Sequence, residues 1–230
     1  SDNVAVGSYA MQTNTTGAEN VAVGYGALDA NTTASYNTAL GYNALGANTT
    51  ASQNVAVGRQ ALFSNTGGTS NNNTAIGYNT LYTNTTGAQN TAVGRASLFS
   101  NSTADNNTAV GYNALYANTT GTYNIAVGSH ALDANTTANN NIAVGYNAMT
   151  ANTTGASNTA LGSSALTASN GSSNVAVGDV SLYANTTGSN NTAVGTYSLY
   201  SNTTANNNTA VGYDALGDCT TGHSNVAVGH

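Results

Sequence analysis

The amino-acid sequence predicts an all-β fold, a parallel β-solenoid (β-roll) built from coils of 17 residues. Three observations point there: a strict period, apolar residues at fixed places within it, and a near absence of charge. The glycine that closes each AxG falls at Gly7, Gly24, Gly41, Gly58, Gly77, Gly94, Gly111, Gly128, Gly145, Gly162, Gly178, Gly195, Gly212 and Gly229, so successive spacings are 17 except for one of 19 and one of 16. Counting the Asn four places before each glycine as position 1, the unit reads mostly Asn, Val/Thr/Ile, Ala, Val/Leu/Ile, Gly, two variable residues, Ala/Ser/Thr, Leu/Met, a variable residue, Ala/Ser/Thr, Asn, Thr, Thr, Gly/Ala and two variable residues. Charged residues are 4% of the chain, against about a quarter in ordinary domains. Regularly spaced β-branched residues separate this composition from disorder.

Each element of the unit has a physical reading. Asn at position 1, from Asn3 to Asn225, is expected to form a ladder of stacked amides at a turn. Positions 2 to 4 read as a short strand, because apolar and β-branched residues alternate there. With a side-chain period of two, position 4 is expected to face the coil interior, with position 2 at its edge. Position 3 is Ala in every copy, from Ala5 to Ala227, and is expected to face outward against another chain. Gly at position 5 suits a turn with positive φ or close chain approach. The stretch typified by ALYANTT reads as a second strand whose Leu or Met at position 9 fills the interior. Position 15 alternates Gly with Ala and so does not demand positive φ. The irregular units, SNTGGTSNNN at 64–73 and TASNGSSN at 167–174, place the slack after position 11, in a surface turn.

The 230 residues make thirteen full units and a partial one. They are expected to be a single repetitive segment, residues 1–230, either cut from a longer fibre or stacking end to end with other copies as a filament, because neither end carries a distinct cap. The apolar content of one coil is thin. A homotrimeric rod is therefore expected, with a single-chain solenoid as the alternative.

NTAVGYNALYANTTG at 107–121 resembles the repetitive regions of phage-type tail-fibre proteins and their bacterial surface relatives, and AVGxxAL is similar to the head repeats of trimeric autotransporter adhesins. The resemblance covers the whole chain and implies a trimeric, left-handed β-roll used as an extracellular fibre or adhesin on a virion or cell surface. The unit is somewhat longer than the usual adhesin head repeat.

Three residue sets are candidates for contact or modification. Asn14, Asn31, Asn48, Asn84, Asn101, Asn118, Asn135, Asn152, Asn185 and Asn202 each begin an Asn-x-Thr, formally an N-glycosylation acceptor; the alternative is a turn in which Asn and Thr bond local backbone. Tyr25, Tyr42, Tyr78, Tyr112, Tyr146 and Tyr213 share position 6, and Tyr82, Tyr116, Tyr183 and Tyr200 share position 10 with Phe63 and Phe99. These columns would stack on surface glycans, grip a neighbouring fibre, or shield the coil edges. A threonine array at positions 13 and 14 raises ice binding as a further alternative.

The remaining groups argue against chemistry. Cys219 stands where other units have the position-12 Asn, and there is no second Cys. His130, His223 and His230 occupy positions 7, 16 and 6, which is no metal-ligand spacing. Asp29 and Asp133 share position 10 but lie six coils apart, so no carboxylate pair is assembled. We expect no enzyme, no cofactor and no metal. Two basic residues against eight acidic ones, a net charge of −6, leave nothing to neutralise phosphates, so nucleic acid is not an expected partner. No apolar run is long enough to span a membrane. The expected function is a structural, self-associating extracellular fibre or adhesin shaft, with a glycan-binding shaft as the alternative.

Overall fold

A computed structural model describes residues 2–68 and 71–230. They form two compact units, Ser1–Thr120 and Gly121–His230. Both are parallel β-solenoids with the same coil. The first contains strands β1 (Val4–Val6) to β7 (Thr108–Val110), the second β8 (Ile125–Val127) to β14 (Val226–Val228), and within each unit every strand pairs in parallel with the next in sequence. Register is kept residue for residue: Ala22 pairs with Ala39 and Ala39 with Ala56. The long coil does not disturb it, since Ala56 pairs with Ala75, nor does the short one, where Ala160 pairs with Ala176. The extra length is absorbed after position 11, as the sequence implied; Thr69 and Ser70 of that insert lie outside the described residues.

Each coil carries one strand of three residues, not the expected two. The ALYANTT stretch is instead a pair of turns. Ala27 N–H donates to Gly24 O and Asn31 N–H to Leu28 O, while Leu28 and Ala30 N–H groups donate onward to Ala44 O and Gly46 O of the next coil. The reason is backbone conformation: positions 7, 9 and 17 hold φ between 49° and 63° in coil after coil. Asn, common at positions 7 and 17, tolerates this region. Leu at position 9 does not, and its strain of about 1–2 kcal/mol is offset by complete side-chain burial, which contributes about 1.5–3 kcal/mol.

The strand also faces the other way. Ala22, Ala39, Ala56, Ala75, Ala92 and Ala109 in the first unit, and Ala126, Ala143, Ala160, Ala176, Ala193 and Ala210 in the second, are fully buried inside the coil. Positions 2 and 4 therefore point outward: Leu40 is 46% exposed, Leu161 38% and Val194 36%. This corrects the expected interior of Val, Ile and Leu. Ala is small because a loop of seventeen residues encloses little volume, and that volume is already claimed by Leu at position 9 and by amides.

Those amides form two ladders. At position 1, Asn191 Nδ2 donates to Ala205 O at 2.8 Å, bracing its own coil, while Asn208 N–H donates to Asn191 Oδ1 at 3.0 Å, tying in the next. In the first unit Asn37 repeats the pattern with Ala51 O at 2.9 Å and Asn54 N–H at 2.9 Å. At position 12, Asn31 Nδ2 reaches Asn14 Oδ1 at 2.9 Å and Asn101 Nδ2 reaches Asn84 Oδ1 at 2.8 Å. Both ladders converge on the carbonyl of position 15, as at Ala104, which accepts from Asn90 and Asn101. Gly at position 5 is required twice over: Gly41 has φ +136°, and a Cβ there would lie 2.5 Å from Gly58 O.

Candidate functional site

The aromatic side chains form columns on the outside of each unit, because equivalent residues of successive coils lie one strand spacing apart, about 4.8 Å. In the first unit the position-6 column runs Tyr25, Tyr42, Arg59, Tyr78, Arg95, Tyr112. Tyr25 stacks on Tyr42 with centroids 5.3 Å apart. Arg59 lies 5.5 Å and 5.4 Å from the Tyr42 and Tyr78 rings, and Arg95 lies 5.8 Å and 5.3 Å from Tyr78 and Tyr112. Each guanidinium also donates to a phenol oxygen at 3.0 Å, Arg59 to Tyr78 and Arg95 to Tyr112. Arg is thus a column member, holding its cation against ring faces. The position-10 column stacks Phe63, Tyr82, Phe99 and Tyr116 at 5.2–5.4 Å. In the second unit Tyr183 stacks on Tyr200, Tyr213 meets Tyr197 edge-on and His230 at a tilt, and Tyr146 is 58% exposed.

Between the two columns of the first unit lies an open groove of about 380 Å³. Tyr78, Arg95 and Tyr112 form one wall, Phe99 and Tyr116 the other, with Asn79, Ala96 and Asn113 between them. Position 7 makes the groove. Asn79 and Asn113 flank Ala96, whose methyl leaves a notch where its neighbours place an amide. Asn79 Oδ1 is buried without a hydrogen-bond partner, and the residue equivalent to it in the next coil is Ala96, which has no side-chain donor. Tyr78, Tyr112 and Tyr116 were singled out in the sequence; Arg95 was not, because at position 6 it interrupts the tyrosine pattern, nor were Ala96 and the two asparagines, because position 7 varies too much to read as a site.

A second surface is the outward strand face. Two side chains per strand, over seven strands in each unit, present Val, Ile, Leu and Thr without a charged residue among them.

The asparagines of the Asn-x-Thr sequences lie inside the coil. Asn31, Asn48, Asn84, Asn101, Asn118, Asn135, Asn152, Asn185 and Asn202 have no exposure, and Asn14 is half-buried. Asn31 Nδ2, for one, donates to both Asn14 Oδ1 and Ala34 O. The first threonine after these asparagines donates along the coil stack, as Thr32 Oγ1 does to Thr49 O at 3.0 Å and Thr186 Oγ1 to Thr203 O at 2.9 Å, so that hydroxyl row is engaged internally. Position 16 supplies a further ladder: Ala18 N–H donates to Ser35 Oγ, Ala88 N–H to Asp105 Oδ1 and Asn206 N–H to His223 Nδ1.

Cys219 takes the place of a ladder Asn, its Sγ facing Gly222 O at 3.6 Å. His130 Nδ1 sits 2.9 Å from Asp133 Oδ2, and Thr150 Oγ1 donates to Asp133 Oδ1 rather than to the imidazole, so the three do not form a nucleophile relay. Among the described residues no three His, Cys, Asp or Glu side chains converge as metal ligands, and no helix is long and apolar enough to cross a membrane.

Comparison of the chain with protein-family models, with curated proteins and with solved structures found no match in any of the three. What the protein does is therefore inferred from side-chain chemistry.

Proposed function

We propose that this chain is a non-enzymatic structural protein that associates with copies of itself through the outward face of its strands, as the shaft of an extracellular fibre or adhesin. One observation carries the reading. The coil interior holds amides, alanine methyls and one Leu or Met per coil, while the β-branched and leucine side chains of the strand itself point outward. An uncharged face of Val, Ile, Leu and Thr repeated on every strand is the kind of contiguous exposed surface that marks an interaction site. Burying it between copies would supply the hydrophobic stabilisation that each thin coil lacks. Three copies around a shared apolar axis is the arrangement that the adhesin-like repeats imply.

The test is the mass of the full chain in solution, by sedimentation or light scattering, beside the variants Leu40→Lys and Leu161→Lys. Both leucines are outward, so each coil keeps its interior while the face gains a charge. The expected result is an oligomer for the parent and a shift toward monomer in the variants. A monomeric parent would sink the proposal. A second reading, a shaft that also grips glycans along its aromatic columns, is favoured by the groove at Ala96.

A further inference from the structure

We propose that the groove at Ala96 binds a saccharide carrying a carboxylate. The inference rests on the glycan-binding reading of the aromatic columns and narrows it to one place and one ligand class; it is independent of self-association, since no residue of the strand face lines the groove.

Three observations carry it. The first is the opening itself. Ala96 adopts φ +56°, a conformation that Asn takes at equivalent positions such as Asn43, Asn79 and Asn113 with less strain. Position 7 holds this φ with many residue types, Gln60, His130 and Val180 among them, so what distinguishes Ala96 is the space it clears between Asn79 and Asn113. The space, about 380 Å³, lies in the range of roughly 300–1,000 Å³ of small-molecule sites.

The second is the chemistry of the walls. The phenols of Tyr78, Tyr112 and Tyr116 and the amides of Asn79 and Asn113 each offer both donors and acceptors. Ring stacking along the columns turns the ring edges and hydroxyls, rather than bare faces, toward the groove. That surface suits a ligand dense in hydroxyl groups with short apolar C–H patches between them. It does not suit an apolar ligand.

The third is charge. The chain has two cationic side chains of Lys or Arg type, and both stand in this one column. Among the described residues no carboxylate pairs with Arg95, whose orientation is set by two rings and by Tyr112 Oη. A guanidinium has five N–H donors in a fork that matches a carboxylate, and one bond to a phenol leaves most of them unspent. In a protein of net charge −6 an unneutralised, preoriented cation selects for an anionic group.

The experiment titrates the full-length chain with oligomers of a hexuronic acid and, separately, with neutral hexose oligomers of the same length, by calorimetry. Two variants localise the site without touching the coil interior: Ala96→Asn, which fills the notch with the residue of the flanking coils, and Arg95→Tyr, which removes the cation but preserves the ring column. The expected result is binding of the uronate oligomer, at least about tenfold weaker binding of the neutral one, and a loss of at least about tenfold in each variant, as expected for a charge-assisted contact. The denaturation midpoint should hold in Arg95→Tyr and hold or rise in Ala96→Asn, since Asn takes that backbone conformation with less strain, and oligomer mass should be unchanged in both. Binding that survives both variants, or equal binding of neutral sugars, overturns the assignment while leaving a glycan-binding shaft in place. Absence of binding by either oligomer overturns both.

Discussion

Replacing Asn191 by Ala removes one rung of the position-1 ladder, and the structure sets the size of the effect. Asn191 is fully buried. Its Nδ2 donates to Ala205 O at 2.8 Å and its Oδ1 accepts Asn208 N–H at 3.0 Å. In the Ala variant the Asn208 N–H loses that acceptor inside the coil, and Ala205 O keeps only Asn202 Nδ2, at 3.3 Å. The stranded N–H costs about 1–3 kcal/mol and the lost carbonyl contact about 1 kcal/mol, roughly 2–4 kcal/mol together. Urea titration followed by circular dichroism and tyrosine fluorescence reads this as a lower midpoint at unchanged slope. Hydrogen exchange should show faster exchange at Asn208 before any change two coils away, because each coil contacts only its neighbours. Asn191→Asp separates the two bonds. Its carboxyl still accepts from Asn208, but when ionised it has no proton for Ala205 O. Burial raises the carboxyl above its usual value of about 3.9, so the folded state binds the extra proton and stability falls as pH rises from about 4 through the folded value. The Asp variant should approach the parent in acid and fall behind it at neutral pH. A loss below about 0.5 kcal/mol for Asn191→Ala would refute the amide ladder as a source of stability.

Cys219→Asn should stabilise the second unit by about 0.5–1.5 kcal/mol, since Asn202 Oδ1 is buried without a partner where the next coil presents a thiol in place of an amide; the urea midpoint checks it. Gly41→Ala should cost at least about 1–3 kcal/mol from backbone conformation alone, with φ +136° and the new Cβ against Gly58 O, and a midpoint within error of the parent would contradict the turn as described. Because the amides of the Asn-x-Thr sequences are buried and engaged, folded chain from a glycosylating host should show the bare polypeptide mass by intact mass spectrometry. Glycan found on Asn101 or Asn118 of folded protein would contradict their placement.

The period, the parallel coils, the turn glycine and the Leu column were all legible, because each is enforced in every copy: a change at one of these positions has no compensating partner. The Ala column was legible as crowded but misassigned in side. Hydrophobicity alone puts Val inside and Ala outside, and it reverses here because Asn31 and its equivalents occupy the interior as hydrogen-bonded amides. The second strand was misread for a related reason. Leu28 and its equivalents sit at positive φ, which side-chain pattern does not reveal for a residue that avoids it elsewhere. The groove was hidden because it is a difference between coils rather than a feature of the repeat. It becomes visible only when Ala96 is set beside Asn79 and Asn113 across the stack.

The amide interior has a thermal consequence. Unfolding a usual domain exposes mostly apolar surface, which raises heat capacity by about 12–15 cal/mol/K per residue and bends the stability curve. A coil lined by Asn, Ala and Gly, with one Leu or Met, exposes much polar surface instead, which contributes with the opposite sign. The free-energy curve of the coil stack should therefore be shallow, holding its value over a wide span of temperature and resisting cold unfolding. Any strong temperature dependence would then reside in the contacts between copies, where the apolar side chains are.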